Sequence, residues 1–233
     1  MHLRKVLAVL VVLSLLAVGV WLAIHLVDWF SMPDLDTSLL NDTPCTAPCW
    51  QSITPGVTTE QEARSLLKSS PYVRKDSLDY HIAEWKVGGE YDWFSWRGRN
   101  MKYYNRLYIR EGKVVLVQIH PDYTLTLGQV VDKFGPPERV HATLAGGGAA
   151  LTVQIDYPAQ GLRFTGQWPV SDRSRVAGGT VLITEDLRIV DVYYFVPGSL
   201  GDLLRASVGT PWEVEEYMNR SQEWKGFGRV PLD

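Results

Sequence analysis

The chain has 233 residues and a formal net charge of −3, and 21% of its residues are charged. Nucleic-acid binding needs a basic surface that neutralises phosphates, so this acidic balance argues against nucleic acid as a partner. The length is ample for one buried core or for two small ones.

The first feature along the chain is a run of nineteen uncharged residues, 6–24, preceded by Arg4 and Lys5. A helix of that length spans roughly 28 Å, close to the ~30 Å hydrocarbon core of a bilayer. Because positive residues stay on the cytoplasmic side, we expect residues 1–27 to form a transmembrane anchor. The predicted localisation is the cell membrane, as a single-pass protein with its C-terminal domain outside the cytoplasm.

A cleaved signal peptide is the alternative interpretation of this segment. Such a peptide has an apolar core of about 7–15 residues followed by a small-x-small cleavage site. The run here is longer, and it ends in residues typical of a membrane interface, Trp21, His25, Trp29 and Phe30. These features favour a retained anchor, joined to the folded part by a polar tether at residues 28–44.

The two cysteines, Cys45 and Cys49, are separated by three residues that include Pro48. This spacing is compatible with a small structural disulfide in an oxidising compartment. A redox pair is the functional alternative, but redox motifs usually place two residues between the cysteines. Metal binding would need a second pair of ligands nearby. The sequence therefore favours a structural disulfide, and it predicts no metal and no cofactor.

An internal repeat organises the rest of the chain. Thr59 is followed three residues later by Glu62, and Thr126 in the same way by Gln129, which fits the capping box at a helix start. The matched apolar positions are Ala63 and Val130, Leu67 and Phe134, and Val73 and Val140. The repeat predicts two α+β modules and a tail, with the bounds 45–121, 122–205 and 206–233.

Strand-like runs follow each predicted helix. They cover residues 81–87, 91–97, 102–110 and 113–120 in the first module, and 139–144, 149–157, 161–166, 180–184 and 188–196 in the second. The clearest hairpin turns at Glu111-Gly112. Strands that follow a helix in a run imply antiparallel meanders. The predicted fold class is therefore α+β: an N-terminal transmembrane helix followed by two tandem modules, each a short helix plus an antiparallel β-meander.

A Thr-capped short helix that ends in Gly135-Pro136, followed by a meander, resembles the small outer-membrane-assembly lipoprotein family (SmpA/OmlA). Two copies of this helix-and-meander unit in tandem resemble the tandem-repeat fold of the β-lactamase inhibitor protein family. The segment CWQSITPGVTT at residues 49–59 also resembles a motif of uncharacterised exported bacterial proteins. The resemblance covers residues 49–204, and it implies a function through protein–protein contact without catalytic residues.

Sequence motifs of catalysis are absent from the chain. It contains no Gly-x-Ser-x-Gly elbow, no phosphate-binding Gly-Lys-Ser/Thr loop and no His-Glu-x-x-His helix. Residues 146–148 are three glycines without a following lysine, which favours a hairpin over a phosphate cradle. His120-Pro121-Asp122 offers two metal ligands without further support, which favours a strand-end histidine. We therefore predict a protein that is not an enzyme.

Aromatic side chains are the better functional candidates. In a strand, Tyr91 and Trp93 face one side while Phe94 and Trp96 face the other. One pair must leave the core of a single-layer sheet, unless the second module covers it and both faces are buried. An exposed aromatic face beside arginines suits a protein, peptide or glycan partner. The candidate partner-binding residues are Trp93, Trp96, Arg97, Arg99 and Tyr103.

The sequence thus predicts a membrane-anchored, extracytoplasmic, non-enzymatic protein-interaction module. Its expected partners are the membrane, through the N-terminal helix, and a protein. The alternative is a cell-envelope glycan-binding domain that uses exposed aromatic strands.

Overall fold

A computed structural model of the chain describes residues 10, 13–22, 33–82, 91–99, 102–145, 150–169, 175–201, 203–204 and 211–232. Within these ranges the chain is mainly antiparallel β-sheet. The predicted glycine hairpin at 146–148 lies outside the described residues.

The prediction of an N-terminal transmembrane helix is wrong. Among the described residues, no helix is both long and apolar enough to cross a membrane. Of the predicted span, residues 6–9, 11–12 and 23–24 lie outside the described ranges.

Four helices are named here: α1 (Ser38–Asn41), α2 (Glu60–Ser69), α3 (Leu127–Phe134) and α4 (Pro211–Arg220). Both predicted capping boxes are confirmed. Thr59 caps α2 together with Glu62, and Thr126 caps α3 together with Gln129. Each threonine side chain accepts a hydrogen bond from a backbone amide that the helix itself cannot satisfy, which starts the helix at that residue.

The strands are β1 (Arg74–His81), β2 (Asp92–Arg97), β3 (Asn105–Arg110), β4 (Lys113–Ile119), β5 (Leu125–Thr126), β6 (Arg139–Ala145), β7 (Ala150–Tyr157), β8 (Leu162–Pro169), β9 (Val176–Ala177), β10 (Thr180–Ile183), β11 (Arg188–Phe195), β12 (Gln222–Glu223) and β13 (Gly228–Pro231). Ten of them form one sheet in the order β1-β2-β3-β4-β11-β8-β7-β6-β12, with β5 beside β11. A second sheet has the order β13-β10-β9.

The two runs of strands that follow α2 and α3 join in one sheet, a pairing that the sequence did not predict. Strands β4 and β11 pair antiparallel, with Ile119 opposite Val192 and Leu116 opposite Phe195. Each run alone would leave a row of unpaired backbone groups at its edge. Pairing the two edges satisfies these groups and makes one continuous sheet.

The main core lies between one face of this large sheet, called the core face, and helices α2 and α3. Leu67 from α2 and Val130 from α3 are fully buried there. Phe134, matched to Leu67 in the repeat, is only partly buried and packs against Tyr157 and Phe164. The small sheet contributes Val181 and Ile183 to the same core.

Local predictions agree with the structure at two turns. The β3–β4 hairpin is confirmed, and both turn residues, Glu111 and Gly112, have positive φ, as a two-residue type I′ turn requires. The disulfide between Cys45 and Cys49 is also confirmed.

Two segments differ from the sequence prediction. The first strand of the sheet is β1 at Arg74–His81, whereas the prediction placed it at 81–87, of which 83–87 lie outside the described residues. The first four residues of β1, 74–77, are all polar and show no alternation, as is common in an edge strand, where charged side chains face the solvent. The predicted tail, 206–233, contains α4, β12 and β13.

Candidate binding surface

The second face of the large sheet, opposite the core face, carries the polar and aromatic side chains of alternate strand residues. The end of the chain covers the C-terminal half of this face. Leu200, Leu203 and Leu204 pack with Tyr217 of α4 against Leu116 and Phe195 of this face. This apolar cluster is separate from the main core.

A buried polar group lies under α4. Arg163 of β8 donates to both carboxylate oxygens of Asp156 on β7, at 2.5 and 3.1 Å, and Asp156 is 0% exposed. The hydroxyl of Tyr217 donates to the same carboxylate at 2.6 Å, and its ring lies 4.6 Å from the Arg163 guanidinium carbon. Burial raises the pKa of Tyr217 well above its ordinary value. The carboxylate and its partners therefore hold α4 onto this half of the face.

Beyond this cover, the part of the second face between β1 and β3 forms an open cleft of about 660 Å³, called here the β1–β3 cleft. Its lining residues are Asp76, Ser77, Leu78, Asp79, His81, Trp93, Ser95, Tyr104 and Arg106. Within this lining, the indole of half-buried Trp93 stacks on the imidazole of His81, with ring centroids 5.0 Å apart. The cleft thus combines a flat aromatic surface with donors and acceptors of hydrogen bonds.

Charges of both signs border this cleft. Asp76 is paired with Arg74 at 2.9 Å, and the contact lowers the pKa of the Asp76 carboxyl. Arg97 donates to the hydroxyl of Tyr104 at 2.8 Å, and its guanidinium carbon lies 4.5 Å from the Tyr104 ring centroid. The side chain of Arg106 is exposed and faces the cleft.

Ser95, His81 and Asp79 lie together, but not as a catalytic triad. The His81 Nε2 atom is 3.0 Å from the Ser95 hydroxyl oxygen and 3.7 Å from an Asp79 carboxylate oxygen. In a triad the serine and the acid contact opposite nitrogens of the imidazole ring. Here both contact the same nitrogen, so this carboxylate does not orient the imidazole to take a proton from Ser95.

His120 at the end of β4 forms a second polar pair on this face. Its Nδ1 atom lies 2.8 Å from an Asp191 carboxylate oxygen, and Gln118 donates to the same oxygen at 3.0 Å. Burial opposes the charged imidazole, but the hydrogen bond and charge of Asp191 outweigh it and raise the pKa of His120. Within the described ranges, no three His, Cys, Asp or Glu side chains are grouped so that they could hold a metal ion.

The predicted site residues lie in different places. Trp93 lies in the cleft, whereas Trp96 is 0% exposed in the main core, with its ring centroid 5.3 Å from that of Trp50. Arg97 is the last residue of β2, and exposed Arg99 lies two residues further on. Tyr103 is 45% exposed and lies over His120, with ring centroids 5.0 Å apart. The structure therefore brings Trp93 and Arg97 to one surface and leaves Trp96 out of it.

Sequence reasoning missed His81, Asp79 and Arg106 as members of the cleft. Asp79 and His81 alternate with the partly buried Tyr80, a period of two that indicates a strand at 79–81. Arg106 likewise alternates with buried Leu107 next to it. Reading these two alternations together would have identified the polar side of both strands.

Comparison of the chain with protein-family models, with curated proteins and with solved structures found no match.

Proposed function

We propose that the protein is a non-enzymatic binding domain whose partner is another protein and whose binding surface is the β1–β3 cleft. The observation that carries this proposal is the uneven covering of the second face. Over β7 and β8 the chain buries Asp156 and Arg163 with its own C-terminal helix. Over β1–β3 the same face leaves Trp93 and Arg106 open.

The composition of the cleft supports a macromolecular partner. Aromatic and arginine side chains are enriched where proteins bind one another, because aromatic rings bury much area with few rotatable bonds and the guanidinium offers several hydrogen-bond donors. Trp93 and Tyr104 supply the aromatic surface, and Arg106 and Arg97 supply donors beside it. The disulfide agrees with a site of action in an oxidising compartment.

Photo-crosslinking tests this proposal. A crosslinking residue at Tyr104, which is 40% exposed, should attach the chain to a distinct protein in its native cells, identified by mass spectrometry. The matched control is Phe227, which is 39% exposed outside the cleft and should not attach the same protein. Trp93→Ala or the milder Arg106→Gln should abolish the Tyr104 product. Equal products from both positions, or none from Tyr104, would contradict the proposal.

A glycan-binding domain is the second candidate function, because Trp93 presents an indole beside the side chains of Asp79 and Arg106. Sugar rings pack on such flat apolar surfaces while their hydroxyls bond to charged side chains. Retention of the purified protein on insoluble envelope polysaccharide, lost in Trp93→Ala and kept in Phe227→Ala, would favour this function over the first.

A further inference from the structure

We propose that the β1–β3 cleft receives a tyrosine side chain of the partner protein. This inference rests on the proposed protein-binding function and names the residue that the partner presents. It follows from an approximate two-fold symmetry of the large sheet, which makes the cleft the counterpart of the place where Tyr217 packs.

The approximate two-fold axis passes between β4 and β11. Outward from this axis the strand order is β4, β3, β2, β1 on one side and β11, β8, β7, β6 on the other. At the centre Gln118 lies opposite Tyr193. From this pair one row of directly opposed residues crosses the second face: Gln118 is followed outward by Arg106, Ser95 and Asp79, and Tyr193 by Arg163, Asp156 and Arg139. Each residue of the row in the first half therefore has a counterpart in the second.

On the half of this face that α4 covers, Tyr217 contacts one residue from each of three strands. Its ring centroid lies 4.8 Å from that of His141 on β6 and 4.6 Å from the guanidinium carbon of Arg163 on β8. Its hydroxyl donates to Asp156 on β7 at 2.6 Å. An imidazole, a guanidinium and a carboxylate thus bind this tyrosine together.

The counterparts of these three residues all line the cleft, and they are His81, Ser95 and Arg106. His81 matches His141 because each lies two residues beyond the outermost member of the row, on the same face of its strand. The side chain of Arg106 is exposed and makes no hydrogen bond or ion pair with another described residue. Tyr104 also lines the cleft, but its ring stacks on Arg97. The faces of Arg106 and His81 are therefore available to the ring of an incoming tyrosine.

The acceptor for the tyrosine hydroxyl lies one strand further out than on the covered half. Ser95 stands in the place of Asp156, and the carboxylate of the open half is that of Asp79, the cross-strand neighbour of Ser95. Such neighbours are about 5 Å apart, within reach of the same bound side chain. One carboxylate oxygen of Asp79 accepts from the backbone amide of Tyr80 at 2.9 Å, and the other lies 3.7 Å from His81, beyond hydrogen-bond distance. This second oxygen can accept a hydrogen bond from the tyrosine.

NMR titration of the full chain, labelled with ¹⁵N, tests the inference with three end-blocked pentapeptides that carry tyrosine, phenylalanine or leucine between pairs of glycines. The reporter is the indole N–H of Trp93, which lines the cleft and is assigned by its loss in Trp93→Phe. We expect the tyrosine peptide to shift this signal saturably. The phenylalanine peptide should bind about tenfold more weakly, because its ring has no hydroxyl to donate to a charged acceptor. The leucine peptide should cause no saturable shift.

Substitutions in the chain separate the role of the carboxylate from that of the guanidinium. Asp79→Ala should remove the preference, so that the tyrosine and phenylalanine peptides bind equally. The matched control Asp186→Ala removes an exposed carboxylate outside the cleft and should leave the preference unchanged. Arg106→Gln should weaken both peptides about threefold, because the guanidinium contacts the ring and not the hydroxyl. Thermal unfolding checks that the variants fold.

Three results would overturn the inference. These are equal binding of the tyrosine and phenylalanine peptides by the unaltered chain, an unchanged preference in Asp79→Ala, or no shift of the Trp93 signal. If the Tyr104 crosslink forms but the tyrosine peptide does not shift this signal, only the choice of tyrosine is wrong. If neither is seen, the proposed function also fails.

Discussion

At the scale of single residues, the second face of the sheet depends on polar side chains that are paired across neighbouring strands. His120 directly follows β4 and Asp191 lies in β11, so their contact spans the seam between the two halves of the sheet. Arg106 of β3 also faces His120, and its charge acts against protonation of the imidazole. Protonation of this histidine is therefore coupled to the joining of the halves.

A dependence of stability on pH follows from the raised pKa of His120. A histidine whose pKa is higher in the folded than in the unfolded chain stabilises the fold fully below its unfolded pKa of about 6.5. That contribution is lost as the pH rises through the folded value. We expect the free energy of unfolding, measured by urea denaturation, to decrease as the pH rises above about 6.5.

The Asp191→Asn variant should lose this part of the pH dependence, because it removes the charge that raises the pKa of His120. The control is Asp186→Asn, because the carboxylate that this substitution removes pairs with Arg175 and not with a histidine. An unchanged pH profile in Asp191→Asn would show that the contact does not contribute.

At the scale of elements, the two capped helices begin alike but are buried differently. Thr59 and Thr126 make the same pair of capping contacts. Leu67 of α2 is fully buried, whereas the matched Phe134 of α3 is only partly so, because α3 ends beside the aromatic rings of Tyr157 and Phe164. The repeat therefore predicts where the helices begin better than how deeply each packs.

We expect Thr59→Ala and Thr126→Ala each to lower the free energy of unfolding by about 1 kcal/mol, since each leaves a helix amide without its side-chain partner. Leu67→Ala should cost more, about 2–5 kcal/mol, because it also leaves a cavity. Chemical denaturation measures all three. Thr124→Ala is the control, because Thr124 is exposed just outside the α3 cap, and it should cost little. A larger decrease in the free energy of unfolding from Thr59→Ala or Thr126→Ala than from Leu67→Ala would contradict this order.

At the scale of the whole molecule, the large sheet joins parts of the chain that are far apart in sequence. Strand β11 lies between β4 and β8, and the C-terminal residues pack back over both halves of the sheet. The core face is likewise shared, since Leu107 and Phe164 belong to one buried cluster. The first half therefore depends on the second for a strand partner and for core contacts.

This interdependence predicts that residues 33–124 do not fold alone. Cut from the rest, β4 would expose its unpaired edge and the apolar side chains that pack on β11. We expect the fragment to show no cooperative thermal transition by circular dichroism and to aggregate on gel filtration. The full chain is the control. A cooperative transition of the isolated fragment would show that the first half is an independent unit after all.

The sequence by itself determined features whose causes lie within a few residues. These are the two capping boxes, the Glu111-Gly112 turn, the Cys45–Cys49 disulfide and the alternation that places Trp93 and Trp96 on opposite faces of the sheet. Each depends on the backbone geometry or the alternation of side chains over a few neighbouring residues, and can therefore be predicted from the residue types in that stretch.

Only the tertiary structure decided the pairing of β4 with β11, the covering of one half of the second face, and the cleft left on the other half. Gln118 and Asp191 bond across a separation of 73 residues, and neither position shows a local pattern that selects the other. The apolar period of a strand predicts which side chains share a face, but many strand orders satisfy the same period. Which part of that face is buried depends on where the C-terminal helix packs, and therefore on contacts made by the whole chain.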